Sequence, residues 1–130
     1  MKVTSVKVLS ADRFNYVKVE TDDGIYGVGE LHPASGTGGT PFLPIAGVRY
    51  CAEYLVGKDP LHIERHWQHM FRRSLFRGGS DIMAAIGAID IALWDIKGKR
   101  TAGRFMSSSV ARREKRCGFT PTLVVRLLPN

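Results

Sequence analysis

Three histidines, His62, His66 and His69, are spaced at i, i+4 and i+7, which places them along one face of a helix. Histidines at this spacing are potential zinc ligands, but a zinc site needs three or four ligands and a second shell that orients them. The acidic partners at hand are Glu53 and Glu64. We therefore expect a solvated helix face here and not a metal site.

A glutamate and a histidine, Glu30 and His32, stand where an extended segment gives way to a loop. Such a pair can act in general acid–base chemistry, and the alternative is ordinary polarity at the end of a strand. The glycine-rich run at residues 35–40 lacks the lysine of a phosphate-binding loop, so we expect a flexible loop there. Asp90 lies in an otherwise apolar segment, and we expect a structural hydrogen bond or ion pair to satisfy it.

An N-terminal set of strands positions the first of these residues. Three segments are rich in β-branched and aromatic residues, and are predicted strands: Lys2–Ser10, Phe14–Thr21 and Ile25–Leu31. Asp22-Asp23-Gly24 is a turn signal, because Asp and Gly tolerate the positive φ of a tight hairpin. Gly27 and Gly29 indicate a bulge or the close approach of another backbone. We predict a three-stranded antiparallel β-meander.

Three helices are predicted after the strands. The first runs from Phe42 to a stop at Gly57, with an apolar stripe of Leu43, Ala46, Val48, Cys51, Ala52 and Leu55. Asp59-Pro60 opens the second, whose apolar face is Ile63, Trp67, Met70 and Phe71. The third follows the N-cap Ser80 from Asp81 to about Lys97. Its buried face holds Ile82, Ile86, Ile89, Leu93 and Ile96, widened by Met83, Ala85, Ala92 and Trp94. We expect this helix to be buried on most sides, which gives an α+β fold with a helical bundle after the meander.

Composition excludes several classes of protein. The apolar content of 44% supports a packed core, and no apolar run reaches the ~20 residues of a membrane span. The N-terminus has no apolar core of a signal peptide, and two cysteines are too few for a disulfide framework, so a cytoplasmic location is expected. More than half of the net charge of +7 lies in residues 105–130. The remainder carries the charge of an ordinary domain, which argues against nucleic-acid binding by residues 1–104.

Three motifs in order resemble those of one family. They are the run from Val19 to Glu30, the junction Gly57-Lys58-Asp59-Pro60, and Phe76-Arg77-Gly78-Gly79 followed by the helix from Ala88 to Lys99. Together they resemble the N-terminal capping domain of the enolase superfamily, of the mandelate racemase/muconate lactonizing enzyme type. The nearest subgroup is similar to the acid-sugar dehydratases that act on galactonate or mannonate. The resemblance covers residues 1–104.

The resemblance implies a two-part enzyme in which this domain closes over a (β/α) barrel. The barrel supplies the ligands of Mg²⁺ and the base that removes a proton α to a carboxylate, and the substrate is a small sugar acid. The cap supplies loops that shape the pocket, for which the candidates here are Arg13, Phe14, His32 and Arg77. We expect no catalytic residue and no bound metal in this chain itself.

The segment after residue 104 departs from the family pattern. The sequence from Phe105 onward can be back-translated with suitable synonymous codons. When this DNA is read in a frame shifted by two bases, the new translation resembles the start of the family's barrel. We therefore expect residues 105–130 to be a disordered or out-of-frame tail, and the barrel to be absent. Such a fragment should be inactive alone, and should form homo-oligomers or aggregates through the uncovered barrel-facing surface.

The alternative function is a small basic module that binds nucleic acid or drives oligomerisation. Its motivation is the basic cluster at residues 112–116. Aromatic residues for base stacking are missing around this cluster, apart from Phe119. Nucleic acid is therefore the less favoured partner.

Overall fold

A computed structural model of the protein describes residues 1–11, 14–32, 42–73 and 79–105. In chain order, the elements are β1 (Val3–Ala11), β2 (Phe14–Thr21), β3 (Tyr26–Leu31), α1 (Phe42–Leu55), α2 (Ile63–Arg72) and α3 (Ser80–Phe105). The three strands form one antiparallel sheet in the order β1-β2-β3. The predicted α+β fold, a β-meander followed by helices, is confirmed.

The sheet has one face against the helices. Strand alternation buries Asn15, Val17, Val19 and Thr21 of β2 on that face. On the opposite face, Glu20 accepts hydrogen bonds or ion pairs from Lys18 at 2.8 Å, Lys7 at 2.7 Å and the Ser5 hydroxyl at 2.6 Å. Lys18, then Lys7 and Ser5, lower the pKa of Glu20 to about 2.

Two strand glycines allow α3 to approach β3 at backbone distance. A Cβ added at Gly27 would overlap the Ala92 carbonyl oxygen, and one at Gly29 would overlap the Ala88 carbonyl oxygen. The sequence therefore predicted the close approach correctly, and α3 supplies the approaching backbone. Asp95 strengthens the contact, because its carboxylate accepts from the Val28 amide at 3.0 Å and from Lys99 at 2.7 Å.

The buried face of α1 differs from the predicted stripe. Leu43 is 60% exposed and Ala46 is also exposed, whereas the buried residues of this helix are Pro44, Val48, Cys51 and Leu55. These four lie at steps of four, three and four, which marks the side that packs on α3 and β1. Leu43 and Ala46 are apolar but lie away from that side.

The helix α3 is longer than its sequence predicts, and one predicted member of its buried face is exposed. It runs from Ser80 to Phe105, because Gly98 does not stop it. Its buried residues face the sheet, α1 and α2, but Ile91 and Trp94 are each 53% exposed. The expectation of burial on most sides is therefore confirmed, but the assignment of Trp94 to the buried face is wrong. Among the described residues, no helix has the length and apolar character needed to cross a bilayer.

Candidate functional site

Two of the candidate residues, Phe14 and His32, lie at the same end of the sheet. The register pairs Asn15 of β2 with Leu31 of β3, so Phe14 and His32 occupy the next pair of positions outward. Both are exposed, Phe14 to 46%. The meander therefore brings together an aromatic ring and an imidazole that are separated by 17 intervening residues in the chain.

The neighbouring strands stiffen this end of the sheet. The side chain of Asn15 is buried, and the Ser10 hydroxyl donates to its Oδ1 at 2.7 Å, which ties β1 to β2 beside the loop between them. On the face away from the helices, Tyr16 lies between Leu9 of β1 and Glu30 of β3. An imidazole, a carboxylate and apolar rings can together bind a hydroxylated, partly apolar ligand.

Described residues next to three candidate-bearing segments lie at this same end. Residues 12–13 link β1 to β2, and residues 33–41 follow His32. Because α3 runs antiparallel to β3, with Ala88 beside Gly29 and Ala92 beside Gly27, its first turn also lies toward this end. Residues 74–78 lead into that turn. Arg13 and Arg77, the loop at residues 35–40 and the basic cluster at 112–116 lie outside the described residues.

The histidine face of α2 is partly buried, which corrects the expectation of a solvated face. His66 is 3% exposed, and its Nε2 donates to the Asp59 carbonyl at 2.7 Å while its Nδ1 accepts from the Tyr54 hydroxyl at 3.1 Å. Since a carbonyl only accepts, this pairing fixes the tautomer. Burial lowers the pKa of His66 below its usual range. His69 stacks on the Tyr54 ring with centroids 3.7 Å apart.

The described residues offer no metal centre. Across residues 1–11, 14–32, 42–73 and 79–105, no group of three His, Cys, Asp or Glu side chains comes close enough to hold an ion. Asp90 has a hydrogen bond with the Trp94 side chain, which meets the expectation of a structural partner. Burial, and then the nearby Glu64 carboxylate, raises the pKa of Asp90.

The fold defines a class: a small α+β domain in which three helices follow a three-stranded antiparallel meander. The sequence matches the family model of the mandelate racemase / muconate lactonizing enzyme N-terminal domain over residues 2–105. The chain belongs to this family. It is 47% identical over 100 residues to the D-galactonate dehydratases of Xanthomonas campestris pv. campestris (strain B100) and Xanthomonas oryzae pv. oryzae (strain PXO99A).

Solved structures place the chain in the same superfamily. An enolase-superfamily member from Salmonella Typhimurium superposes with a TM-score of 0.70 at 36% identity, over 77% of this chain and 26% of that one. An enolase from Pantoea ananatis with bound d-gluconate and Mg superposes with a TM-score of 0.67 at 35% identity, over 77% and 25% of the two chains. The match with each Xanthomonas enzyme covers 76% of this chain. The chain spans about a quarter, 25%, of the length of these curated relatives.

Proposed function

We propose that residues 1–104 form the substrate-capping domain of a Mg²⁺-dependent enzyme that dehydrates or racemises a small sugar acid. The observation that carries the proposal is that Phe14, His32 and the first turn of α3 lie at one end of the sheet. Two features of the relatives support the substrate class: the curated enzymes are named for D-galactonate, and the Pantoea structure holds d-gluconate.

Each proposed substrate contact has a chemical role that suits its side chain. Phe14 packs against the C–H face of the sugar chain, and His32 hydrogen-bonds a hydroxyl or carboxylate oxygen. Arg13 and Arg77 pair with the substrate carboxylate, a geometry for which the guanidinium fork is well suited. Closure of the loops over the ligand excludes water and strengthens these polar contacts.

The domain's role is to bind, orient and enclose the substrate. In enzymes of this type, Mg²⁺ stabilises the negative charge that develops when a base removes the proton α to a carboxylate. The described residues do not fit such an ion, because no three ligands converge among them. Metal binding and proton transfer are therefore assigned to the barrel part of the enzyme, and no chemical step is placed on this domain.

We also propose that residues 105–130 are out-of-frame translation, and that residues 1–104 by themselves do not turn over sugar acids. The coding DNA tests this: the shifted frame should continue with barrel sequence after codon 104. Early stop codons or unrelated sequence in that frame would contradict the frameshift. Dehydration of D-galactonate by the pure chain would contradict the assignment of chemistry to the barrel.

A chimera tests the capping role directly. Residues 1–104 of this chain replace the matching segment of the Xanthomonas campestris D-galactonate dehydratase, and turnover of D-galactonate is measured. Loss of one hydrogen bond to a charged ligand should raise KM about tenfold or more in His32→Ala. The control is His62→Ala, an exposed histidine near the opposite end of the sheet. Equal KM values for the two variants, in a folded and active chimera, would remove His32 from the site.

A further inference from the structure

One side of α3 is left open by the elements that the structure describes. Gly87, Ile91, Trp94 and Gly98 follow one another at i, i+4, i+7 and i+11, so they form a single stripe along the helix. Ile91 and Trp94 are each 53% exposed. A Cβ added at either glycine would meet no atom within 4 Å. We name these four residues the α3 stripe.

We propose that the α3 stripe is the interface of a symmetric dimer of this chain, formed by two antiparallel α3 helices. The spacing of the stripe is the same in both directions, at steps of four, three and four residues. A two-fold axis between Ile91 and Trp94 therefore places each Ile91 against Trp94 of the partner subunit. The glycines at the two ends let the helix backbones come close together.

The charges beside the stripe favour the same arrangement. Asp90 and Lys97 lie on one flank of α3, seven residues apart. About the same two-fold axis, Asp90 lies within about 3 Å of the partner's Lys97 along the helix direction, at a rise of ~1.5 Å per residue. Two ion pairs therefore flank the interface, whereas a parallel pairing would place the two flanks on opposite sides of the interface, where these ion pairs cannot form.

The same side chains set the strength of the dimer. Trp94 and Ile91 expose about half of their surfaces, so the apolar core of the interface is small beside the ~1,000 Å² that a stable complex needs. Lys97 lies over the Trp94 ring with its Nζ 4.5 Å from the ring centroid, which leaves the ammonium at the edge of the stripe. We therefore expect a weak dimer, with self-association above about 10 µM.

Sedimentation equilibrium of the full chain, from about 1 µM to about 1 mM, measures the dimer constant. Gly98→Leu is the decisive variant. It adds a good helix former in open space, so the thermal midpoint should rise, while the new side chain holds the partner helix away. We expect the dimer Kd to rise at least about tenfold. Leu43→Ser, at an apolar residue of α1 that is 60% exposed, is the control and should leave the Kd unchanged.

A charge exchange tests the direction of the helices. Asp90→Lys and Lys97→Asp should each weaken the dimer, and the double variant should restore the Kd of the original chain, as only the antiparallel pairing predicts. A monomer at every concentration, a Kd that Gly98→Leu does not change, or an equal effect of Leu43→Ser would overturn the proposal. These readouts do not involve catalysis, so they succeed or fail independently of the capping role.

Discussion

The contact between β3 and α3 makes Gly29 a sensitive position. In Gly29→Ala, the new Cβ would lie 2.9 Å from the Ala88 carbonyl carbon and 3.1 Å from the Ala92 nitrogen, and would overlap the Ala88 oxygen. An ordinary contact between carbon atoms is about 3.5–4.0 Å. Because the opposing atoms belong to the helix backbone and not to a flexible side chain, α3 has to retreat by roughly 1 Å, and a gap of that size forfeits a quarter to a half of each dispersion contact.

The expected cost follows from what the retreat uncovers. Five residues at or near this junction are at most 1% exposed: Val17, Val19, Ala88, Ala92 and Ile96. Overpacking of a core costs about 1–3 kcal/mol, and rigid backbone neighbours place Gly29→Ala at the upper end, near 3 kcal/mol. For a domain of this size, such a loss lowers the thermal midpoint by about 15 °C.

Urea unfolding followed by far-UV circular dichroism measures the change. The matched control is Gly87→Ala, the same substitution at a helical glycine with open space around it. It should stabilise the chain by up to about 1 kcal/mol, because alanine is the better helix former. A free energy of unfolding for Gly29→Ala within about 0.5 kcal/mol of the original chain would refute the reasoning.

Three further outcomes are expected. Asp95→Asn should cost about 1 kcal/mol in urea unfolding, because the amide weakens the bonds to the Val28 amide and to Lys99, and it should lower the salt dependence of stability. Acid should destabilise the chain as the pH falls below 6.5. Burial lowers the pKa of His66, so the unfolded chain binds the proton more readily than the folded chain. The difference between the urea midpoints at pH 7.5 and at pH 5.5 should therefore be smaller in His66→Gln than in the original chain. Burial raises the pKa of the Cys51 thiol to about 11. A Cys117→Ser variant leaves Cys51 as the only thiol. At pH 8, a thiol reagent should label this variant at least about a hundredfold more slowly when it is native than when it is unfolded in urea.

The strands were predictable because their pattern is local. Alternation with a period of two identified β2 with its observed bounds, and the Asp-Asp-Gly signal predicted a turn in which Gly24 has a φ of 78°. The two glycines of β3 also indicated a close backbone. Their partner could not be read from the strand, since Ala88 and Ala92 come about 60 residues later and become neighbours only through packing.

The helices show where local patterns stop being informative. Helical spacing placed His66 with two other histidines, but its burial depends on Tyr54 of α1 and the Asp59 carbonyl, which that spacing does not reveal. Trp94 was assigned to the buried face on hydrophobicity alone. At the candidate site, the meander order suffices to bring Phe14 and His32 together, whereas the place of Tyr16 beside Glu30 requires the strand register.

The two ends of the domain's sequence meet at the end of the sheet that carries the turn between β2 and β3. Arg100 donates to Asp23 at 3.2 Å and to the Met1 sulfur at 3.4 Å, and Lys99 donates to the Tyr26 carbonyl at 2.8 Å. Beside its pairing with β2, the N-terminus of the domain thus contacts a residue made about a hundred codons later. During synthesis, the apolar side of the meander stays without its α3 cover until that helix has left the ribosome. A chain released before Ser80 would lack this cover altogether.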